Sequence, residues 1–223
     1  MVAYTKNPID GLDVLLPCKL AAAICYNSKP SATVLKSCYA SGHGSVLEHV
    51  SFTFHVSEIS RSCSHQIVRH RLASYDQRSQ RYCDEDGFGY YTPPSAGSEY
   101  DTCMKTIEKM YIELKKTGLH KEDAREVLPN ACHTQMYITM NLRELAHFMN
   151  LRLCTRAQAQ IREVAQLMRQ EVLDVCPEAE YMLVPKCKAI PGMSFCTEHE
   201  SCGISPKLKD IFERAAAYDG LCK

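Results

Sequence analysis

Four arginines fall within thirteen residues, at Arg69, Arg71, Arg78 and Arg81, with Asp76 as the one acid among them. A guanidinium stays charged and meets phosphate through two parallel hydrogen bonds, so a cluster of this kind suits an anion. Gln77, Ser79 and Gln80 add neutral donors and acceptors between the charges. A basic helix end running into a polar loop has the same composition, and both readings stand at this level. Upstream, Gly42-His43-Gly44-Ser45-Val46-Leu47-Glu48-His49 puts two histidines and an acid in a turn-rich connector. It lacks the tight paired spacing of metal ligands. Cys132-His133 sets a thiol beside an imidazole, but a cysteine becomes a nucleophile only where its surroundings lower its pKa. Cys187, Cys196 and Cys202 are separated by eight and then five residues, with Cys176 or His199 as a candidate fourth ligand. There is no C-x-x-C pair, so reduced loop cysteines are the preferred reading and no metal site is expected.

No glycine-rich dinucleotide loop or P-loop is present. If a nucleotide is bound, helix-end backbone and arginines must hold its phosphates. Lys+Arg and Asp+Glu balance at 26 each, so any anion binding is local. An RNA-binding patch without chemistry is the competing class. Balanced charge and the lack of interleaved aromatics weigh against it, and no nucleic-acid partner is expected. No apolar run reaches membrane-spanning length and Met1 to Lys6 opens no signal peptide, so a cytoplasmic protein with no membrane partner is expected. Thirteen scattered cysteines fit reduced thiols better than a disulfide framework. The 223 residues carry no Pro/Gly/Ser-rich linker, which favours one domain over residues 1–223.

The elements that must position these residues are mostly legible. Leu20 to Cys25 reads as a short buried helix. Ser31 caps a helix with Leu35, Cys38 and Tyr39 on one face, stopped by Gly42. Val50 to Ser57 alternates apolar and polar residues, a half-buried strand. Ser60 caps a helix to about Val68, extended so that Gln66, Arg69 and His70 share a face. Beyond it, an extended segment would point Gln77, Ser79 and Arg81 the same way. Ser98 with Asp101 opens a helix carrying Met104, Ile107, Tyr111 and Leu114, ending at Gly118. A short helix from Lys121 to Leu128 carries Arg125 and closes at Pro129. Cys132 to Met140 is apolar enough for a buried helix or strand. Asn141 with Glu144 caps the next helix, and Thr155 with Gln158 opens the longest one, whose Arg156, Arg162 and Arg169 read as solvated charges. After Pro185 comes the Cys-rich loop at about 186–206, then a helix from about Lys207 to Tyr218 with Leu208, Ile211, Phe212 and Ala215 on one face.

Arg69-His70-Arg71, seven residues, then Ser79 matches the signature of the flavin-dependent thymidylate synthases, and the run from Arg69 to Tyr82 resembles that family almost throughout. Three further segments resemble it in the same order: Gly42 to His49 with Phe52-Thr53-Phe54, Ala124 to Pro129, and Asn141 to Leu145 leading to His147 and Asn150-Leu151-Arg152. The Cys132-His133 pair is similar instead to the nucleophile neighbourhood of the folate-only thymidylate synthases, but over two residues alone, and it is read as a decoy.

The resemblance to the flavin-dependent family implies an α+β fold with a central, largely antiparallel sheet flanked by helices, one domain per subunit. It implies reductive methylation of dUMP to dTMP, with 5,10-methylenetetrahydrofolate as carbon donor, NADPH as reductant through FAD, and tetrahydrofolate released. It also implies a homotetramer with active sites shared between subunits. Gln66, Arg69, Gln77, Arg78, Ser79, Gln80, Arg81, Arg125 and Arg152 match nucleotide-binding positions. Ser45, Arg69, His70, Arg71, Gln77, Asn141, Arg143 and His147 match flavin-contacting ones. His43 and Glu48 match positions near flavin and folate. Arg152 matches the residue beside the uracil ring, where a fixed cation stabilises negative charge in the reaction. Ser79 is assigned to binding, since an unactivated serine is a poor nucleophile. Gln77 stands where some members carry Glu, and Arg156 where others carry His. The Cys-rich loop lies outside the motifs.

Overall fold

The computed structural model describes residues 2–4, 13–190 and 192–219; Met1, Thr5, Lys6, Pro191 and Cys222 lie outside them. Its strands are β1 (Val2–Tyr4), β2 (Ser51–Ser60), β3 (Ala73–Gln77) and β4 (His133–Asn141). Its helices are α1 (Leu16–Cys25), α2 (Ala32–Ala40), α3 (Arg61–Ile67), α4 (Ser98–Lys116), α5 (Lys121–Ala124), α6 (Leu142–Arg152), α7 (Ala159–Val175) and α8 (Leu208–Asp219). The fold is α+β. The strands join in one sheet in the order β1-β2-β4-β3. Thr53 hydrogen-bonds Thr139 and His55 stacks on Tyr137, the antiparallel register of β2 against β4. The chain forms two compact units, residues 1–52 with 140–223 and residues 53–139.

In the unit of residues 53–139, one face of β2 and β4 is apolar. Phe54, Met136 and Ile138 are buried, with Ile59, Cys63, Ile67, Tyr111 and Cys132 among the rest of that core. Burying side chains of this size contributes about 1.5–3 kcal/mol each relative to exposure. Ser60 caps α3 by accepting from the Cys63 N–H (3.0 Å). The segment from Cys132 resolves as a strand, which its alternating burial explains. In α4 the cap is Gly97, so Ser98 lies inside the helix and Asp101 sits in its acidic first turn. Asp101 instead accepts from the Tyr90 hydroxyl (3.0 Å). At 19 residues α4 is longer than the 17-residue α7.

In the unit of residues 1–52 and 140–223, Leu15, Cys18, Leu35, Cys38, Leu47, Leu142, Leu145, Phe148, Ile161, Met168 and Val172 are buried. Ser31 accepts from the Val34 N–H (3.2 Å) and Asn141 from the Glu144 N–H (2.9 Å), both at the expected caps. Helix α1 starts earlier than expected and is only half buried. Its inner face is Cys18, Lys19, Ala22 and Ala23, while Ile24 is 81% exposed. The buried Lys19 ammonium meets Asp13 (3.0 Å) and Glu178 (2.7 Å). Burial alone would lower its pKa, but hydrogen bonds to Glu178 and Asp13 outweigh that and hold it above the ordinary value. Helix α7 begins after Gln158 rather than at Thr155. Arg156, ahead of the helix, and Arg162 and Arg169, within it, read as solvated in the sequence but have partners. Arg162 donates to the Thr155 and Ala157 carbonyls (3.0 and 3.2 Å), Arg169 to the Leu183 carbonyl (2.8 Å), and Arg156 pairs with Glu200 (3.0 Å). The loop cysteines do not converge: among the described residues no three thiols come within ligand distance of one another. The stripe of α8 is uncovered, with Leu208, Ile211 and Phe212 exposed.

Candidate functional site

The arginine-rich stretch is pinned by the residues between its charges. Helix α3 stops at Ile67 with Val68 as its cap, so Arg69 and His70 lie in a turn. They do not share the helical face with Gln66 that periodicity suggested, and His70 is buried while Arg69 and Arg71 are exposed. The Tyr75 hydroxyl lies within hydrogen-bond distance of the Ile67 and His70 carbonyls (3.0 and 2.5 Å), closing the turn where no helical partner remains. Gln77 ends β3 and donates to Ser64 (2.9 Å) and Thr134 (3.2 Å). These anchors, Tyr75, Ser64 and Thr134, carry no charge, and nothing in their spacing marked them.

After Gln77 the chain is not extended. The Ser79 hydroxyl accepts from the Arg81 N–H (3.2 Å), and the Ser79 carbonyl from the Cys83 N–H (3.0 Å), so residues 79–83 turn. Ser79 and Arg81 therefore do not follow a strand's alternation. Gln80 is buried and points to the Cys132 thiol (3.5 Å). Arg78 grips both oxygens of Glu85 (2.7 Å each) and the Asp84 carbonyl (3.1 Å).

Arg81 and Arg125 meet one residue of α5. The Glu122 carboxylate accepts from Arg81 Nε, and the Glu122 carbonyl accepts from Arg125 Nε (2.9 Å). Arg81 holds the Glu122 carboxyl below the usual range, and in turn its own pKa is raised by the Glu122 hydrogen bond. Two guanidiniums on one acidic residue at the surface are what an incoming dianion needs, with the carboxylate occupying one of them meanwhile. Glu122 was not singled out in the sequence; its place two residues after a helix cap gave no signal.

The Cys132 thiol is unsuited to nucleophilic attack. Burial, then Glu85, pushes its pKa up to about 11. Burial also lowers the neighbouring His133, against a smaller opposing effect of Glu58.

In the other unit, the loop before β2 is built around two glycines. Gly42 takes φ +79°, a left-handed turn that follows α2. At Gly44 a Cβ would lie 2.9 Å from Arg143 Nε, so the arginine lies directly against the glycine and would have to shift for a larger residue. Arg143, at the start of α6, pairs with Glu48 (2.6 Å). Ser45, Glu48, Arg143 and His147 are exposed. Asn141 spends its side-chain oxygen on the α6 cap. Arg152 is the last residue of α6 and is partly buried. His43 meets Tyr26 edge to edge, with ring centroids 6.3 Å apart and planes at 15°, and its Nδ1 lies 2.8 Å from the Tyr26 hydroxyl.

Comparison with known proteins gives one answer. The family model described as thymidylate synthase complementing protein matches residues 13–178. A flavin-dependent thymidylate synthase of Geobacter sulfurreducens is 41% identical over 214 residues, covering 86% of this chain and 90% of the relative. One from Thermococcus kodakarensis is 38% identical over 226 residues, covering 90% and 89%. One from Pyrococcus abyssi is 43% identical over 173 residues, covering 71% and 70%. With its arginine signature, its turn-bound serine and relatives matched over most of both chains, this chain belongs to the flavin-dependent thymidylate synthases.

Proposed function

We propose that the enzyme converts dUMP to dTMP with 5,10-methylenetetrahydrofolate as carbon donor and NADPH as reductant through FAD, releasing tetrahydrofolate and NADP⁺. The observation that carries the nucleotide assignment is Arg81 and Arg125 anchored on Glu122 beside the Ser79 turn. A nucleoside monophosphate brings a dianion to which the two guanidiniums and the serine hydroxyl are complementary. Gln66, Arg69, Gln77 and Gln80 complete the nucleotide assignment, Arg78 contributes by holding the turn through its pair with Glu85, and Arg152 is the cation for the uracil ring. Ser79 binds rather than attacks.

The donor set also fits a flavin dinucleotide. Arg69 and Arg71 are exposed, and among the described residues neither forms an ion pair, so a diphosphate would find cations not already neutralised. Arg69, His70, Arg71, Gln77, Ser45, Asn141, Arg143 and His147 are assigned to FAD. Gln77 is neutral and bound to two hydroxyls, so it orients without adding negative charge. Bound FAD supplies the reducing equivalents drawn from NADPH. Arg143, leaning on Gly44, fixes the loop that carries His43 and Glu48, which we assign to the flavin and folate side.

Residues 1–223 act as one catalytic domain, in a cytoplasmic homotetramer with shared active sites; among the described residues no helix is long and apolar enough to cross a membrane. The purified protein is expected to be yellow, to bleach with NADPH under anaerobic conditions, and to release tritium from 5-labelled dUMP. A colourless protein that takes up no added FAD would sink the proposal. Light scattering should give four times the 25.2 kDa subunit mass.

A further inference from the structure

The loop bearing His43 is held at two points. Its backbone N–H donates to the Cys38 carbonyl at the end of α2 (2.9 Å), next to the Gly42 turn. Its ring is held by Tyr26, the residue that caps the C-terminus of α1, through the 2.8 Å contact between the hydroxyl and Nδ1, with the two ring planes 15° apart. Backbone and ring together leave the imidazole one orientation, with Nε2 as its free edge.

The direction of the Tyr26 hydrogen bond follows from the two groups. A phenol is the stronger acid and a neutral imidazole nitrogen the stronger acceptor, so the hydroxyl donates to Nδ1. Burial and then Cys38 hold the Tyr26 phenol above its ordinary pKa, so it remains a protonated donor through the neutral range. The contact is therefore Tyr26 O–H to His43 Nδ1.

We infer that Tyr26 is a positioning residue that fixes His43 as the Nε2–H tautomer, so that His43 meets its ligand as a hydrogen-bond donor and not as a base. This rests on the assignment of His43 to the flavin and folate side. A carbonyl or anionic oxygen of the folate or flavin is the partner such an edge recognises. The residue escapes notice in the sequence because an exposed tyrosine at a helix end carries no signature; it is 53% exposed.

The test uses the flavin-loaded enzyme with ¹⁵N-histidine, studied by solid-state NMR, with the His43 signals assigned by their loss in His43→Asn. The wild type should show a protonated Nε2 and an unprotonated Nδ1; Tyr26→Phe should show both tautomers. In kinetics, Tyr26→Phe should lower kcat/KM for methylenetetrahydrofolate about tenfold, the scale of one orienting hydrogen bond, and leave the KM for dUMP unchanged. A wild-type Nδ1–H tautomer, or a Tyr26→Phe spectrum like the wild type, overturns the inference. So does a Tyr26→Phe enzyme with unaltered folate kinetics while His43→Asn is impaired. If His43→Asn is itself fully active, the assignment of His43 to the active site fails, and the role of Tyr26 in the reaction fails with it.

Discussion

Arg78 and Arg81 stand three residues apart in one motif, and the structure gives them opposite environments. Arg78 holds both oxygens of Glu85, whose side chain is 3% exposed. Arg81 holds Glu122 at the surface, with its own side chain 56% exposed. The first pair is part of the fold of residues 53–139, with Lys115 clamping the flanking Asp84 and Asp86 from α4 (2.6 and 2.7 Å). The second can exchange its carboxylate for a ligand at little cost, because water screens an exposed pair. A motif of arginines thus does two jobs: one guanidinium neutralises a buried acid so that the turn exists, and the other offers its charge outward.

The largest effect should come from breaking the inner pair. Arg78→Ala leaves the Glu85 carboxylate buried without its cation, and should destabilise the protein by about 3 kcal/mol in urea unfolding. Adding Glu85→Gln should recover much of that loss, because the cost lies in the uncompensated charge. If the double variant is no better than Arg78→Ala alone, the loss is one of packing and the contrast between the two arginines dissolves. Arg81→Ala should behave the other way. The urea unfolding midpoint should be nearly unchanged, while the KM for dUMP rises about 10- to 100-fold, as expected for a lost charge-assisted hydrogen bond to phosphate. A KM for deoxyuridine, which lacks the phosphate, should be insensitive to Arg81→Ala.

That contrast also marks what the sequence could carry. Caps were legible because a side-chain oxygen at a fixed spacing has one local partner, as at Ser31, Ser60 and Asn141. The half-buried β2 was legible from its alternation. What escaped depended on side-chain contacts beyond one helical turn. Glu85 and Glu122 decide which arginine is structural, and neither lies at a helical or strand spacing that would announce a partner. Periodicity carried α3 on through Arg69 and His70, but Tyr75, beyond the turn, satisfies the Ile67 and His70 carbonyls and makes a non-helical end workable. Thr155 with Gln158 resembled a capping box, yet the Thr155 carbonyl is engaged by Arg162 and the helix starts later. A local pattern competes poorly once a long side chain can reach the same backbone group.

The smallest effect on turnover concerns Cys132, which lies behind the inner pair. Burial first and Glu85 second raise its thiol from the usual 9.0 to about 11, and Arg78 opposes them only weakly. At pH 8 the folded protein keeps that proton, so Cys132→Ala should leave kcat within about twofold, and iodoacetamide should label exposed Cys103 well before Cys132. The linkage has a definite sign. Between pH 9 and about 11 the unfolded chain has released the Cys132 proton and the folded chain has not, so the folded state binds more protons and stability falls as pH rises through that window. Cys18 and Cys176 are raised for the same first reason, burial, to about 12 and about 11, so the wild type should lose stability steadily above pH 9. Cys132→Ala should show a shallower decline than the wild type over pH 9–11, measured by urea unfolding at fixed ionic strength. An equal slope in the two proteins would mean that this thiol ionises in the folded state as it does in water. The buried Glu85 would then exert no field on its neighbour, and the difference drawn between the inner and outer arginines would lose its electrostatic basis.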